Sequence, residues 1–233
     1  MTAQKKSKPE SIGIILDGNR RWATEQGLES SKGHEAGLEN VKNFLSWIKE
    51  EKIPSVTLYA FSSENWKRST QEKQFLFNLF KKMCRDLRDK KENSEHESTQ
   101  IRFIGRTENL PVSLQKEIEK VEKETENKKS FYTLQIAMSY GGRQEIVDAV
   151  NRCLKKRIPV DEKTLSENLD SAGVPDPDII IRTGGEKRLS NFLTWQSAYS
   201  EFFFVESYWP DFSKQQFKNI LKEYSQRNRR FGK

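Results

Sequence analysis

Ile12-Gly13-Ile14-Ile15-Leu16-Asp17-Gly18-Asn19-Arg20-Arg21-Trp22-Ala23 joins an apolar run to a polar, basic cluster without a spacer. Residues 12–16 have the length and β-branching of a buried strand. The run stops at Asp17-Gly18-Asn19, and Arg20, Arg21 and Trp22 open a helical-looking stretch. A buried strand thus delivers a carboxylate, a glycine, an amide and two guanidiniums to one point. Free N–H groups at a helix start favour an anion there. A carboxylate beside an anion is costly unless a cation separates them, and a divalent metal bridging Asp17 to a phosphate or diphosphate resolves the conflict. The same residues also suit a capped turn. On this stretch alone the two readings carry equal weight.

The chain has 233 residues and a net charge of +7, from 41 Lys+Arg against 34 Asp+Glu. The length suffices for a sizeable core, and the charge suits anionic ligands without choosing among phosphates, nucleic acid and acidic membranes. Cys84 and Cys153 stand outside any CxxC pair, so neither a zinc site nor a disulfide framework is indicated. No apolar run is long enough to span a membrane, and the polar N-terminus lacks the apolar centre of a signal peptide. The expectation is a cytoplasmic protein with a flexible tail over residues 1–10.

Apolar periodicity places helices over residues 38–50, 71–89, 113–127, 144–156, 165–171 and 212–227. Strands fall at 56–61, 101–104, 131–138, 178–181 and 202–205, and residues 90–100 read as a mobile loop or frayed helix end. The strand–helix alternation predicts one α/β domain over residues 1–233. Its mostly parallel central sheet of about six strands is flanked by helices.

In such sheets ligands bind outside the carboxyl ends of the strands. Read in turn, those ends are DGNRR, SSENWKR, GR, SYGGR and RTGGEKR. Glycines let backbone N–H groups approach an oxyanion, and arginines clamp phosphate oxygens in pairs. Each charge-assisted bond contributes about 1.5–3 kcal/mol net. So many arginines exceed the need of one phosphate and hint at two diphosphates side by side. Asp17 and Glu201 are the better metal candidates among the nearby carboxylates. The nucleotide P-loop, dinucleotide-fold and α/β-hydrolase signatures are all absent.

IILDGNRRWA with GHEAG, then LYAFSSENWKR, SYGGR, IRTGGEKRLSNFLTWQ, AYSE, WPDF and a closing RRFG resemble the cis-prenyltransferase family, which includes the undecaprenyl diphosphate synthases. The resemblance runs from about residue 12 to residue 232. It implies a homodimer that condenses isopentenyl diphosphate onto an allylic diphosphate, such as farnesyl or geranylgeranyl diphosphate, with cis geometry. Asp17 would hold Mg²⁺ and assist the leaving diphosphate. Gly18, Asn19, Arg20, Arg21 and Trp22 would cradle that group, with His34 close by. Asn65 would sit near the proton lost, with Ser62, Trp66 and Arg68 shaping the site. Arg182, Arg188 and Ser190 would bind isopentenyl diphosphate, Glu201 would complete the metal site, and Arg230 would reach the partner subunit's site. The growing tail needs an apolar tunnel, for which the stripe Phe75, Leu76, Leu79, Phe80, Met83 and Leu87 and the strands 56–61 and 131–138 are candidate walls. A long product implies peripheral membrane contact.

Two departures from the family stand out. Ser30 occupies a position where the family often has arginine, leaving one diphosphate contact to Lys32 or to none. Residues 90–100 exceed the length typical of bacterial members, which bears on product length. A non-catalytic partner subunit and a nucleic-acid binder are the competing readings. Intact Asp17, Asn65 and RTGGEKR oppose the first, and the lack of aromatics interleaved with basic residues opposes the second. His96, Trp195 and Trp209 read as incidental or core residues, and Arg143 divides evenly between a structural ion pair and a site role.

Overall fold

A computed structural model describes residues 8–89, 99–126 and 131–227. Its strands are β1 (Ser11–Ile15), β2 (Ser55–Ser62), β3 (Thr99–Ile104), β4 (Tyr132–Tyr140), β5 (Ile179–Arg182) and β6 (Glu201–Phe204). The helices are α1 (Asn19–Glu25), α2 (Ser30–Glu50), α3 (Thr70–Asp89), α4 (Val112–Thr125), α5 (Gly142–Lys155), α6 (Glu162–Ser166) and α7 (Lys214–Gln226). All pairings in the sheet are parallel, in the order β3-β4-β2-β1-β5-β6. This is the expected single-domain α/β architecture, with strict rather than mostly parallel pairing.

β1 lies at the centre because it is apolar on both sides and buried along its whole length. Each fully buried isoleucine contributes about 1.5–3 kcal/mol. In register, Ile15 stands between Tyr59 and Arg182, so the ends of β1, β2 and β5 share one edge. Side chains alternate between faces. Ile14, Leu58, Ile136 and Ile181 pack under α2, α3 and α7, with Phe44, Phe80 and Phe217 among their partners. Ile15, Tyr59, Ala137 and Ile180 join Phe192 and Leu193 on the other face.

α2 begins eight residues earlier than its apolar period predicts, at Ser30. Gly33 and Gly37 lie inside it, although glycine costs about 1 kcal/mol in a helix interior. The reason is close packing on α1. A Cβ on Gly33 would stand 2.0 Å from the Asn19 carbonyl oxygen, and one on Gly37 2.2 Å from Asn19 Oδ1. Residues 8–10 are tied down rather than loose: the Glu10 N–H donates to Asp178 Oδ2 at 2.7 Å, and Lys8 pairs with Glu51. The rest of the expected tail and nearly all of the 90–100 stretch, with His96, lie outside the described residues. Cys84 and Cys153 are buried free thiols.

Candidate active site

Three of the five strand ends, DGNRR, SSENWKR and RTGGEKR, meet around Asp17; the GR end of β3 does not, and its Arg106 pairs with Asp148. The backbone of Asp17 is clamped by Thr183, whose hydroxyl accepts from the Asp17 N–H and donates to the Asp17 carbonyl at 2.7 Å. Its carboxylate receives Arg182 Nη2 at 2.7 Å and lies 3.4 Å from Arg21 Nη2. Arg182 is only 4% exposed. Its Nη1 donates to Ser190 Oγ at 2.8 Å and to the Arg188 carbonyl at 2.6 Å, while its buried Nε has no partner. A buried guanidinium needs such a partner set. Arg182 therefore joins the DGNRR and RTGGEKR segments into one site.

Gly18 starts α1 at φ +103°, with Tyr208 packed where a Cβ would stand. The helix start carries no side-chain cap, so its N–H groups remain available to an anion. Asn19, Arg20 and Arg21 line a cleft of about 580 Å³ with Ser30, His34, Arg68 and Tyr208. Arg21 lies over the Tyr208 ring, 5.2 Å from its centre. Lys32 instead pairs with Glu35 at 2.9 Å, so the Ser30 position gains no substitute cation from it.

Glu72 organises the basic side of this cleft. It stands 3.3 Å from His34 Nε2, 3.1 Å from Arg68 and 3.8 Å from Arg20. Burial, reinforced by the Arg68 cation, holds His34 below its ordinary range despite Glu72. It is therefore neutral at pH 7 and can offer a ring nitrogen to a polar partner. The sequence carried no distinctive sign of Glu72, which is one acidic residue in a polar helix start.

A second, deeper cavity of about 520 Å³ opens at the same edge. Its mouth includes Asp17, Asn19, His34, Asn65, Arg68 and Arg182, and its walls include Leu38, Val41, Leu58, Phe80, Met83 and Ile136. Two smaller apolar voids continue it between α2, α3 and the sheet. The first, about 30 Å³, shares Leu38, Val41, Met83 and Ile136 with it; the second, about 60 Å³, is reached past Leu45, Leu87 and Leu134. Of the predicted α3 stripe, Leu76, Leu79, Phe80, Met83 and Leu87 line these cavities with the strand walls while Phe75 lines none, and α2 forms an equal share that its period assigned only to the core. Trp209 is buried as expected, yet it also touches the cavity.

Asn65 and Ser62 sit together on the 3-10 turn after β2, where Asn65 Oδ1 accepts from the Ser62 N–H at 3.1 Å. Trp66 stands one layer behind, with Nε1 donating to Ser139 Oγ and its ring edge-on to Phe61. Arg188 is exposed and paired with Glu186; its carbonyl, rather than its guanidinium, meets Arg182.

Two expectations need correction. Trp22 faces away from both clefts, and its indole N–H donates to Asp211 at 2.8 Å. Glu201 opens β6 in register with Ile179, so it lies at the opposite edge of the sheet from Asp17. It pairs there with Arg227 at 2.6 Å. Within one chain the two carboxylates cannot share an ion. Among the described residues no group of three or more His, Cys, Asp and Glu gathers as a metal site. Arg230 lies outside the described residues.

The family model described as putative undecaprenyl diphosphate synthase matches residues 15–232. An isoprenyl transferase of Thermotoga maritima is 46% identical over 232 residues, covering 96% of this chain and 97% of that protein. A tritrans,polycis-undecaprenyl-diphosphate synthase (geranylgeranyl-diphosphate specific) of Thermoplasma acidophilum is 42% identical over 99% of this chain and 91% of that protein. Among solved structures, lavandulyl diphosphate synthase from Lavandula x intermedia, in complex with dimethylallyl diphosphate, superposes with a TM-score of 0.91. It is 32% identical and covers 98% of this chain and 100% of that one. A basic cleft opening on an apolar cavity and near-complete matches to isoprenyl transferases lead to one conclusion: the chain belongs to the undecaprenyl diphosphate synthase family of cis-prenyltransferases.

Proposed function

We propose that this prenyltransferase adds isopentenyl diphosphate repeatedly to an allylic diphosphate, farnesyl or geranylgeranyl, and releases a long-chain Z-polyprenyl diphosphate. The continuity of the apolar tunnel with the Asp17–Arg182 mouth carries this reading. A tail can lengthen in one direction while the reacting end stays among the cations.

In each cycle the allylic carbon–oxygen bond breaks and its electron pair leaves with the diphosphate. The double bond of isopentenyl diphosphate attacks that carbon, and a proton leaves the adjoining methylene. Arg20, Arg21, Asn19 and the Gly18 turn stabilise the departing charge, and stabilisation of this electrostatic kind is usually what lowers such a barrier most. Arg182, Ser190 and Arg188 hold the second diphosphate, and Asn65 faces the proton that leaves. Fixing both substrates in one mouth removes much of the entropic barrier.

Asp17 is the carboxylate that would hold Mg²⁺. One carboxylate with diphosphate oxygens is the usual ligand set for this ion, and the partly exposed Asp17 carboxylate among guanidiniums fits it. When bound, the ion adds positive charge where the leaving group develops negative charge.

A homodimer is supported by the outer edge of β6, which no strand among the described residues pairs, with Phe202 stacked on Phe204 and Tyr199 largely exposed. Cytoplasmic residence with membrane contact through the product accords with the absence, among the described residues, of a helix long and apolar enough to cross a membrane. The test is incorporation of labelled isopentenyl diphosphate with a panel of allylic starters, with and without a Mg²⁺ chelator, followed by product sizing. Chelator-sensitive growth of long products supports the reading; a single condensation that never extends refutes it.

A further inference from the structure

The SYGGR turn, residues 139–143, has no role in the chemistry above, and neither does the GR end of β3, whose Arg106 pairs with Asp148 at 2.8 Å. SYGGR ends β4 and starts α5, whose N-cap Gly141 has no side chain to close the helix start. A residue from a distant segment does so instead. The Gly142 N–H donates to the Asn191 carbonyl at 2.7 Å, and the Arg143 N–H donates to Asn191 Oδ1 at 2.9 Å. Asn191 therefore caps α5 twice, with its backbone and its side chain.

The other end of the same amide points to a different strand end. Asn191 Nδ2 lies 3.5 Å from Glu64 Oε1, at the margin of hydrogen-bond reach. Glu64 precedes Asn65 on the 3-10 turn after β2. On its own side Asn191 follows Ser190, whose Oγ accepts from Arg182 at 2.8 Å. One side chain thus links the ends of β2, β4 and β5. Glu64, Asn65, Ser190 and Asn191 all border the main cavity.

Two further observations show that this link sets the position of the loop. Ser190, Asn191 and Leu193 have φ values of +49°, +65° and +43°, a left-handed stretch without glycine. Such backbone persists only where its surroundings hold it. The fit around the amide is also tight, since a Cβ on Gly141 would stand 2.6 Å from Asn191 Nδ2 and 2.8 Å from Ser63 Oγ. Tyr59 supplies the remaining brace, its hydroxyl lying 3.2 Å from both the Tyr140 and the Ser190 carbonyls.

We infer that Asn191 is a positioning residue for the isopentenyl half of the site: by tying the Ser190 loop to the α5 start and to Glu64, it sets the Ser190–Arg182 diphosphate grip against Asn65. This rests on the reading under Proposed function.

Asn191→Gly tests it directly, because glycine adopts the left-handed backbone without strain and removes only the amide. The KM for isopentenyl diphosphate rises about tenfold, the loss expected for hydrogen bonds of this kind, while the allylic KM is unchanged. Asn191→Asp keeps the acceptor for Arg143 but sets a carboxylate against Glu64, and its isopentenyl KM rises as well. Adding Glu64→Gln rebuilds the amide–carboxylate bond with donor and acceptor exchanged and recovers most of that rise. The pair of Asn191→Asp variants decides the matter if the glycine variant does not fold.

Equal rises in both KM values, a fall in kcat alone that tracks thermal stability, or no recovery in the double variant would overturn the inference. So would an unchanged isopentenyl KM in an otherwise active series. A wild-type chain that incorporates no isopentenyl diphosphate sinks the functional reading itself, and this inference with it.

Discussion

Replacing Gly33 with alanine places one methyl group where α1 crosses α2. It would stand 2.0 Å from the Asn19 carbonyl oxygen and 2.8 Å from its carbon, both backbone atoms that no rotamer change can move. Reaching the 3.4 Å of ordinary contact requires α1 to retreat by about 1.4 Å. Two opposing effects set the stability cost. Alanine is the better helix former by about 1 kcal/mol, whereas overpacking costs about 1–3 kcal/mol. The net loss is about 0–2 kcal/mol, a fall of a few degrees in Tm for a chain of this size. On the proposed function the functional loss is larger, because α1 carries Asn19, Arg20 and Arg21, which line the basic cleft assigned to the allylic diphosphate. A displacement of this order costs about 10²-fold in turnover. Condensation kinetics with isopentenyl diphosphate saturating and the allylic substrate varied, beside a thermal melt, separate the two effects. Wild-type kcat/KM for the allylic substrate in Gly33→Ala would refute the packing argument. So would an activity loss matched by a collapse in Tm, since the fold rather than the cradle would then have failed.

Asp17→Asn keeps the shape of the site but removes the charge facing Arg21 and Arg182, and condensation falls by about 10²-fold or more, read by label incorporation at saturating Mg²⁺. Met83 borders both the main cavity and the void beneath it, so Met83→Trp closes the passage and the sized products become shorter by several isoprene units. His34 is held below its ordinary value of 6.5 by burial. The unfolded chain therefore takes up the proton first, and the stability contributed by neutral His34 is complete above that value and lost as pH falls below it. Urea midpoints measured between about pH 7.5 and about pH 5 show this acid limb in the wild type and a flatter one in His34→Asn. Equal slopes in the two proteins would refute the assignment.

Much of the fold was legible because parallel strands buried on both faces leave long apolar runs, as residues 12–16 do. The site was legible because such strands deliver their ends to one edge, where polar motifs are conspicuous against the runs before them. Strand order was not, since β1 pairs with β2 and β5 on grounds of three-dimensional packing that no local pattern records. The start of α2 was missed because Gly33 and Gly37 look like breakers until Asn19 fills the groove they leave. Glu201 was misplaced by its apolar neighbours, although a residue that begins a parallel strand must lie at the edge opposite the strand ends. Trp22 carried no signal of direction, since on so short a helix either face could meet the site. Asn191 was invisible for another reason: capping a helix whose own N-cap is glycine is a contact between segments 48 residues apart.

The alternation of side chains along β2 and β4 has a consequence for how such a protein diversifies. Leu58 and Ile136 line the deeper cavity, while Asn65, on the turn after β2, borders its mouth with Asp17 and Arg182. A change of size at a wall position alters how much chain the protein can hold and leaves the cations, the carboxylate and their spacing untouched. Capacity and reactivity are inherited on separate letters of the sequence. On the proposed function, a single substitution at a wall position can change product length while the reacting groups stay in place.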